Sequence, residues 1–111
     1  MSAAASVPQV ARRIVTAIPG PKSQEIQKKY NEYVSAGIGQ HMPIFADHAS
    51  GSTITDVDGN RFIDLAAGIA VTGVGNAAPE VVKAVQDEVA RLTHTNFATT
   101  PYAGYVDVCE K

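Results

Sequence analysis

VDGNRFIDLAAGIAVTGVG, running from Val57 to Gly75, packs several local instructions into one short stretch. Asp58-Gly59-Asn60 is a turn: glycine supplies the positive φ that a tight hairpin needs, and Asp and Asn tolerate it best among the other residues. Strand-like runs lie on either side, Thr53 to Val57 and Arg61 to Leu65. The following segment, Ala66 to Val71, bears no charge and is able to enter a protein interior. A hairpin that delivers an uncharged, glycine-containing strand end brings backbone close to a ligand.

Working outward, Ile44 to Ala49 reads as a further strand, separated from the next by Ser50-Gly51. The three runs predict an antiparallel three-stranded meander. A meander of this size needs a covering layer to be secure. Upstream, Ser23 is placed to cap a helix from Gln24 to Ala36, with Glu25 in its first turn and an (i, i+4) pair between Glu25 and Lys29. Ile26, Tyr30, Tyr33 and Val34 share its packing face, and Gly37 and Gly39 end it. Downstream, Pro79 suits the first turn of a helix to Leu92. Val82, Val85, Val89 and Leu92 follow helical spacing there, with Lys83–Asp87 and Asp87–Arg91 pairs on the wet side. Thr100-Pro101 opens a third helix with Tyr102, Tyr105, Val106 and Cys109 on its apolar side. The fold class is therefore α+β: a helix, the meander and two further helices.

Residues 1–22 read as a flexible N-terminal arm closed by Pro19-Gly20-Pro21, and residues 23–111 as the folded segment. The first 24 residues hold no acidic side chain and carry Arg12, Arg13 and Lys22, a composition shared with organelle transit peptides. A disordered leader is the simpler reading. At the other end the helical pattern stops at Glu110-Lys111 without a capping glycine or proline, which reads as truncation at the C-terminus.

A chain of 111 residues with a net charge of −2 offers no basic excess to hold nucleic acid. No apolar run approaches the roughly 20 residues needed to cross a bilayer. The lone cysteine, Cys109, excludes an internal disulfide and a cysteine-based zinc site. His41, His48 and His94 supply no closely spaced ligand pair, so no metal site is assigned. Gly68, Gly73 and Gly75 lack the Lys-Ser/Thr that completes a P-loop, and backbone flexibility in a connection explains them better.

The order and spacing of several blocks carry a resemblance. These are His41 to Asp47, Asp56 to Gly59, Phe62 to Val71, Gly75 to Val82, and Thr93 to Phe97. From about Ile38 to Lys111 the chain resembles the N-terminal part of the class III (ω-amino) aminotransferases that use pyridoxal phosphate, most of all their 4-aminobutyrate branch. The resemblance implies the N-terminal part of a fold-type I enzyme, contributing to the small domain, to a homodimer interface and to one wall of the substrate channel. It implies amino transfer from an ω-amino acid to 2-oxoglutarate, in the cytoplasm, with no nucleic acid or membrane partner. Two departures stand out. Gly75-Asn76-Ala77-Ala78-Pro79 replaces a common Gly-His-x-His-Pro, and Ala98 stands where a larger side chain is frequent.

A transaminase needs a lysine to hold the cofactor, an acid at the ring nitrogen and a donor-rich phosphate cradle. In the family these lie beyond Lys111. Lys22, Lys28, Lys29, Lys83 and Lys111 sit on solvated faces, beside the Pro-Gly-Pro break or at the chain end, so no catalytic and no cofactor-binding residue is assigned. Ile69 is the one candidate for substrate binding. By residue type it is an ordinary core isoleucine; the resemblance implies that it faces the substrate channel, where relatives acting on ornithine are aromatic. His94 is implied to orient a loop near the active-site entrance. Asp47, Asp56, Asp58 and Asp64 read as turn and strand-edge carboxylates. Two alternatives stay open: an acetylornithine or other ω-amine aminotransferase segment, and a self-sufficient small α+β interaction module.

Overall fold

The computed structural model describes residues 11–111, in two units, residues 11–78 and 79–111. The first ten residues of the expected arm lie outside the described residues. The first unit holds helix α1 (Pro21–Tyr33), strands β1 (Ala46–Ser50), β2 (Thr53–Asp56) and β3 (Arg61–Ile63), and a short turn of helix α2 (Ala67–Ala70). The second holds α3 (Pro79–Arg91) and α4 (Ala103–Glu110). A three-stranded antiparallel meander in the order β1-β2-β3 matches the expected α+β fold. Ser50 pairs with Thr53 across Gly51-Ser52, and Thr55 pairs with Arg61 across the Asp56–Asn60 turn. Strand β1 begins at Ala46, so Ile44 and Phe45, expected in it, precede it, and its register slips between Ala46 and His48.

What organises this unit is polar. Among the described residues the buried side chains are Ser23, Asp56 and Asn60, and no large apolar side chain is buried. Asn60 Oδ1 accepts the Val15 and Thr16 N–H groups at 2.8 and 3.0 Å, and Asn60 Nδ2 donates to Asp56 Oδ2 at 2.9 Å and to Thr16 Oγ1 at 2.8 Å. Asp56 Oδ1 accepts the Asn60 and Asp58 N–H groups at 2.8 and 3.0 Å. Gly59 carries the expected positive φ, +87°. Arg13 adds a bridge to Arg61 at the β3 edge. Arg13, Val15, Thr16 and Lys22, expected as part of the arm, are thus hydrogen-bonded to the hairpin.

The first helix departs from expectation. It begins at Pro21, three residues before Gln24, and no side chain of its N-cap residue Gly20 bonds to it. Ser23 is not the cap. Instead Asp58, 35 residues on, accepts the Lys22 and Ser23 N–H groups at 2.8 and 2.9 Å and the Ser23 hydroxyl at 2.6 Å. The helix ends at Tyr33, where Val34 turns extended, rather than at Ala36. Tyr30 meets Phe45 with ring centroids 6.1 Å apart and donates its hydroxyl proton to the Ile38 carbonyl.

The uncharged segment after β3 is not an extended strand end. Ala67, Gly68, Ile69 and Ala70 all have φ between +48° and +61°, a left-handed turn closed by Ala70 N–H to Ala66 O and Val71 N–H to Ala67 O. L-residues resist this conformation by roughly 1–2 kcal/mol each, and a β-branched residue such as Ile69 is the rarest occupant.

In the second unit, Phe97 packs against Tyr102 and Tyr105 with centroids 5.3 and 4.6 Å apart. The fourth helix starts at Ala103 with Tyr102 at its N-cap, beyond the expected Thr100-Pro101 opening. Lys83 pairs with Asp87 at 2.7 Å as expected, whereas Arg91 pairs with Glu88 instead of Asp87. Val81, Val82, Val85 and Val89 leave an apolar stripe of α3 exposed.

Candidate functional site

Strands β2 and β3 place Ile54 opposite Phe62, and their side chains share one face because alternate residues point the same way. Met42 and Ile44 approach the same face, and Leu65 and Ile69 follow it in sequence. Together with Ile63, Asp64, Ala66 and Gly68 they line an open groove of about 410 Å³. Its lining is mainly hydrophobic, with Asp64 the one charged side chain. Leu65 and Ile69 are 93% and 91% exposed, so neither is a core residue of this unit. An apolar wall with one carboxylate at its edge suits the methylene chain of a small ligand better than a charged head group.

Asp64, which in sequence reads as an ordinary strand-edge carboxylate, holds a turn. Its Oδ1 accepts the Ala66 and Ala67 N–H groups at 3.0 and 2.8 Å, the entry to the left-handed turn. The exit is held too. Asn76 and Gly51 exchange two backbone hydrogen bonds of 2.8 and 2.9 Å, and Asn76 Nδ2 donates to Gly51 O at 3.2 Å. A Cβ on Gly75 would crowd the Gly51 backbone, which is why this position is glycine. The legible signal for Asp64 was its spacing, two and three residues before the N–H groups that it binds, the pattern of an Asx-type turn.

The described residues do not fit the cofactor that the resemblance implies. Lys22, Lys28, Lys29, Lys83 and Lys111 are all exposed, and Lys83 is engaged with Asp87, so none offers a desolvated amine. Gly51, Gly73 and Gly75 line a small cavity of about 140 Å³, but Asp64 lines it as well and would repel a phosphate. The Gly75 N–H is already given to Thr72 O.

His94 is exposed in the stretch after α3 and lines a cavity of about 210 Å³ with Glu88, Leu92, Thr93, Thr95 and Tyr102. His48 Nδ1 lies 2.9 Å from Asp47 Oδ2, both side chains facing solvent. His41 is exposed. No group of three or more metal-ligating side chains occurs among the described residues, and no helix among them is long and apolar enough to cross a membrane.

Comparison with known proteins identifies a family. A family model described as aminotransferase class-III matches residues 34–111. The chain is 52% identical over 103 residues to the 4-aminobutyrate aminotransferase of Mycobacterium tuberculosis (strain ATCC 25618 / H37Rv), covering 93% of this chain and 23% of that protein. It is 47% identical over 78 residues to the 5-aminovalerate aminotransferase DavT of Pseudomonas putida, covering 70% of this chain and 18% of that one. Against the 4-aminobutyrate aminotransferase GabT of Escherichia coli (strain K12) it is 38% identical over 88 residues, covering 79% and 21%. The chain thus spans about a quarter or less of the length of these relatives.

Proposed function

The chain belongs to the class-III aminotransferase family, and from that premise we propose that it supplies the N-terminal substrate-facing segment of an ω-amino acid aminotransferase. The reaction is amino transfer from an ω-amino acid, 4-aminobutyrate foremost, to 2-oxoglutarate. Pyridoxal phosphate supplies the electron sink for that chemistry when bound. On this reading the residues that hold it lie in parts of the protein outside these 111 residues, in a fold-type I enzyme that works as a cytoplasmic homodimer.

The observation that carries the reading is the 52% identity over nearly the whole chain to a 4-aminobutyrate aminotransferase. The structure supports it with a wall rather than a reaction centre: Ile54, Phe62 and Ile69 offer apolar surface for a methylene chain. The exposure of Leu65, Ile69, Val71 and the α3 valines fits surface covered by further protein and argues against a self-sufficient module. The 5-aminovalerate aminotransferase relative favours a second reading, a donor one methylene longer. Both readings share the site and the acceptor.

The test is glutamate formation from 2-oxoglutarate by the full-length protein carrying these residues, with 4-aminobutyrate and 5-aminovalerate as donors. Turnover with either supports the assignment, and their ratio chooses between the two. Failure of the protein loaded with cofactor to use any ω-amino acid contradicts it. The 111-residue chain mixed with pyridoxal phosphate and dialysed, with no reductant added, is expected to retain none.

A further inference from the structure

We propose that Asp64 is a positioning residue for the substrate wall, holding the left-handed turn and with it the direction of Ile69. The proposal rests on the reading of Ile69 as substrate-lining. Ile69 is 91% exposed, so no packing fixes its side chain and its direction is set by its own backbone. That backbone is left-handed at four successive residues, a conformation that persists only where the surroundings impose it.

The restraints are few and specific. Asp64 is tied to the hairpin by its own N–H, which donates to Ser52 O at 2.8 Å. From that anchor one carboxylate oxygen accepts the Ala66 and Ala67 N–H groups and turns the chain into the left-handed segment. Downstream the chain is fastened to Gly51 of the same hairpin through Asn76. Asn76 Nδ2 also lies 3.5 Å from the second Asp64 oxygen, at the outer limit of a hydrogen bond. Ile69 is therefore presented from a loop tied at both ends to one hairpin, and Asp64 is the side chain that sets its entry.

The experiment is a double-mutant cycle in the full-length holoenzyme, reading the ratio of kcat/KM for four-carbon and five-carbon ω-amino acids. Ile69→Ala and Asp64→Ala are each expected to move the ratio about fivefold, and the double variant to move it no further than either alone. Asp64→Asn keeps an acceptor at the same place and is expected to stay within about twofold of the parent ratio. Asp64→Leu, close to aspartate in shape but without an acceptor, is expected to shift the ratio as alanine does and serves where Asp64→Ala does not fold. A parent-like ratio in Asp64→Ala or Asp64→Leu beside a shifted Ile69→Ala overturns the proposal, as do effects that multiply. A parent-like ratio in Ile69→Ala overturns the substrate-wall reading itself, and the positioning role falls with it.

Discussion

The Asp58 carboxylate occupies the place of an N-cap side chain on the first helix, and Gly20 is what admits it: a Cβ at Gly20 would overlap the Asp58 carboxyl. Two N–H groups at the start of a helix have no partner within it, and a negative charge there also faces the positive end of the helix dipole. Here both needs are met from a hairpin turn 35 residues away, so one contact joins α1 to the sheet. Asp58→Ala and Gly20→Ala should lower the thermal midpoint of the protein by similar amounts. Asp58→Asn, which still accepts hydrogen bonds, should lower it less, and the Gly20→Ala/Asp58→Ala pair should be less than additive. Thermal denaturation of the four variants checks this.

The same contact has a pH signature. Partial burial pushes the Asp58 carboxyl up, but the hydrogen bonds from the Ser23 hydroxyl, the Ser23 N–H and the Lys22 N–H, with the Lys22 charge, outweigh it and hold the group below the usual carboxylate range. A group depressed on folding contributes stability above its unfolded pKa, about 4, and loses it as pH falls through the folded value. The stability gap between the parent and Asp58→Ala should therefore be constant from pH 7 to about 5 and close below about pH 4. A gap that widens on acidification would contradict the capping role.

Asn60 makes a harsher prediction. It is fully buried, and its amide donates to Asp56 while its oxygen accepts from Val15 and Thr16. Asn60→Ala should cost roughly 2 kcal/mol by leaving those groups unpaired. Asn60→Asp should cost more, about 3 kcal/mol or above, because it sets a second buried carboxylate against Asp56. Urea denaturation at pH 7 ranks the two.

The left-handed turn separates stability from use. Ile69 buries almost nothing, so Ile69→Gly loses little packing and relieves the least tolerated backbone position. Its stability should be unchanged or up to about 1 kcal/mol higher. Gly68→Ala, at φ +61°, should instead lose about 1 kcal/mol. Denaturant melts of both variants report the sign.

How much of this could be read from the sequence follows from how local each cause is. The Asp58-Gly59-Asn60 turn and the alternation on either side are local, and the meander they predict is present. Pro79 and the valine spacing likewise place α3 to within a residue. Asp58 as the cap of α1 was not legible, because Ser23 offers a closer local solution and only the tertiary fold brings Asp58 to it. The left-handed turn ran against propensity: Gly68 hints at positive φ, but Ala67, Ile69 and Ala70 do not, and their conformation is imposed from Asp64 and the Gly51–Asn76 bridge. Resemblance names Ile69 as substrate-facing, whereas Asp64, the side chain at the entry of its turn, reads in sequence as a strand-edge carboxylate.

The most direct measurement is substrate discrimination at Ile69 in the full-length protein. On the proposed substrate-facing reading of Ile69, phenylalanine in its place narrows the wall by more than a methylene, and pocket changes on that scale alter selectivity about 10-fold or more. Ile69→Phe is expected to shift the ratio of kcat/KM for 4-aminobutyrate over 5-aminovalerate by at least about 10-fold, with cofactor content unchanged. An unchanged ratio, or loss of bound cofactor in place of a shift, would contradict it.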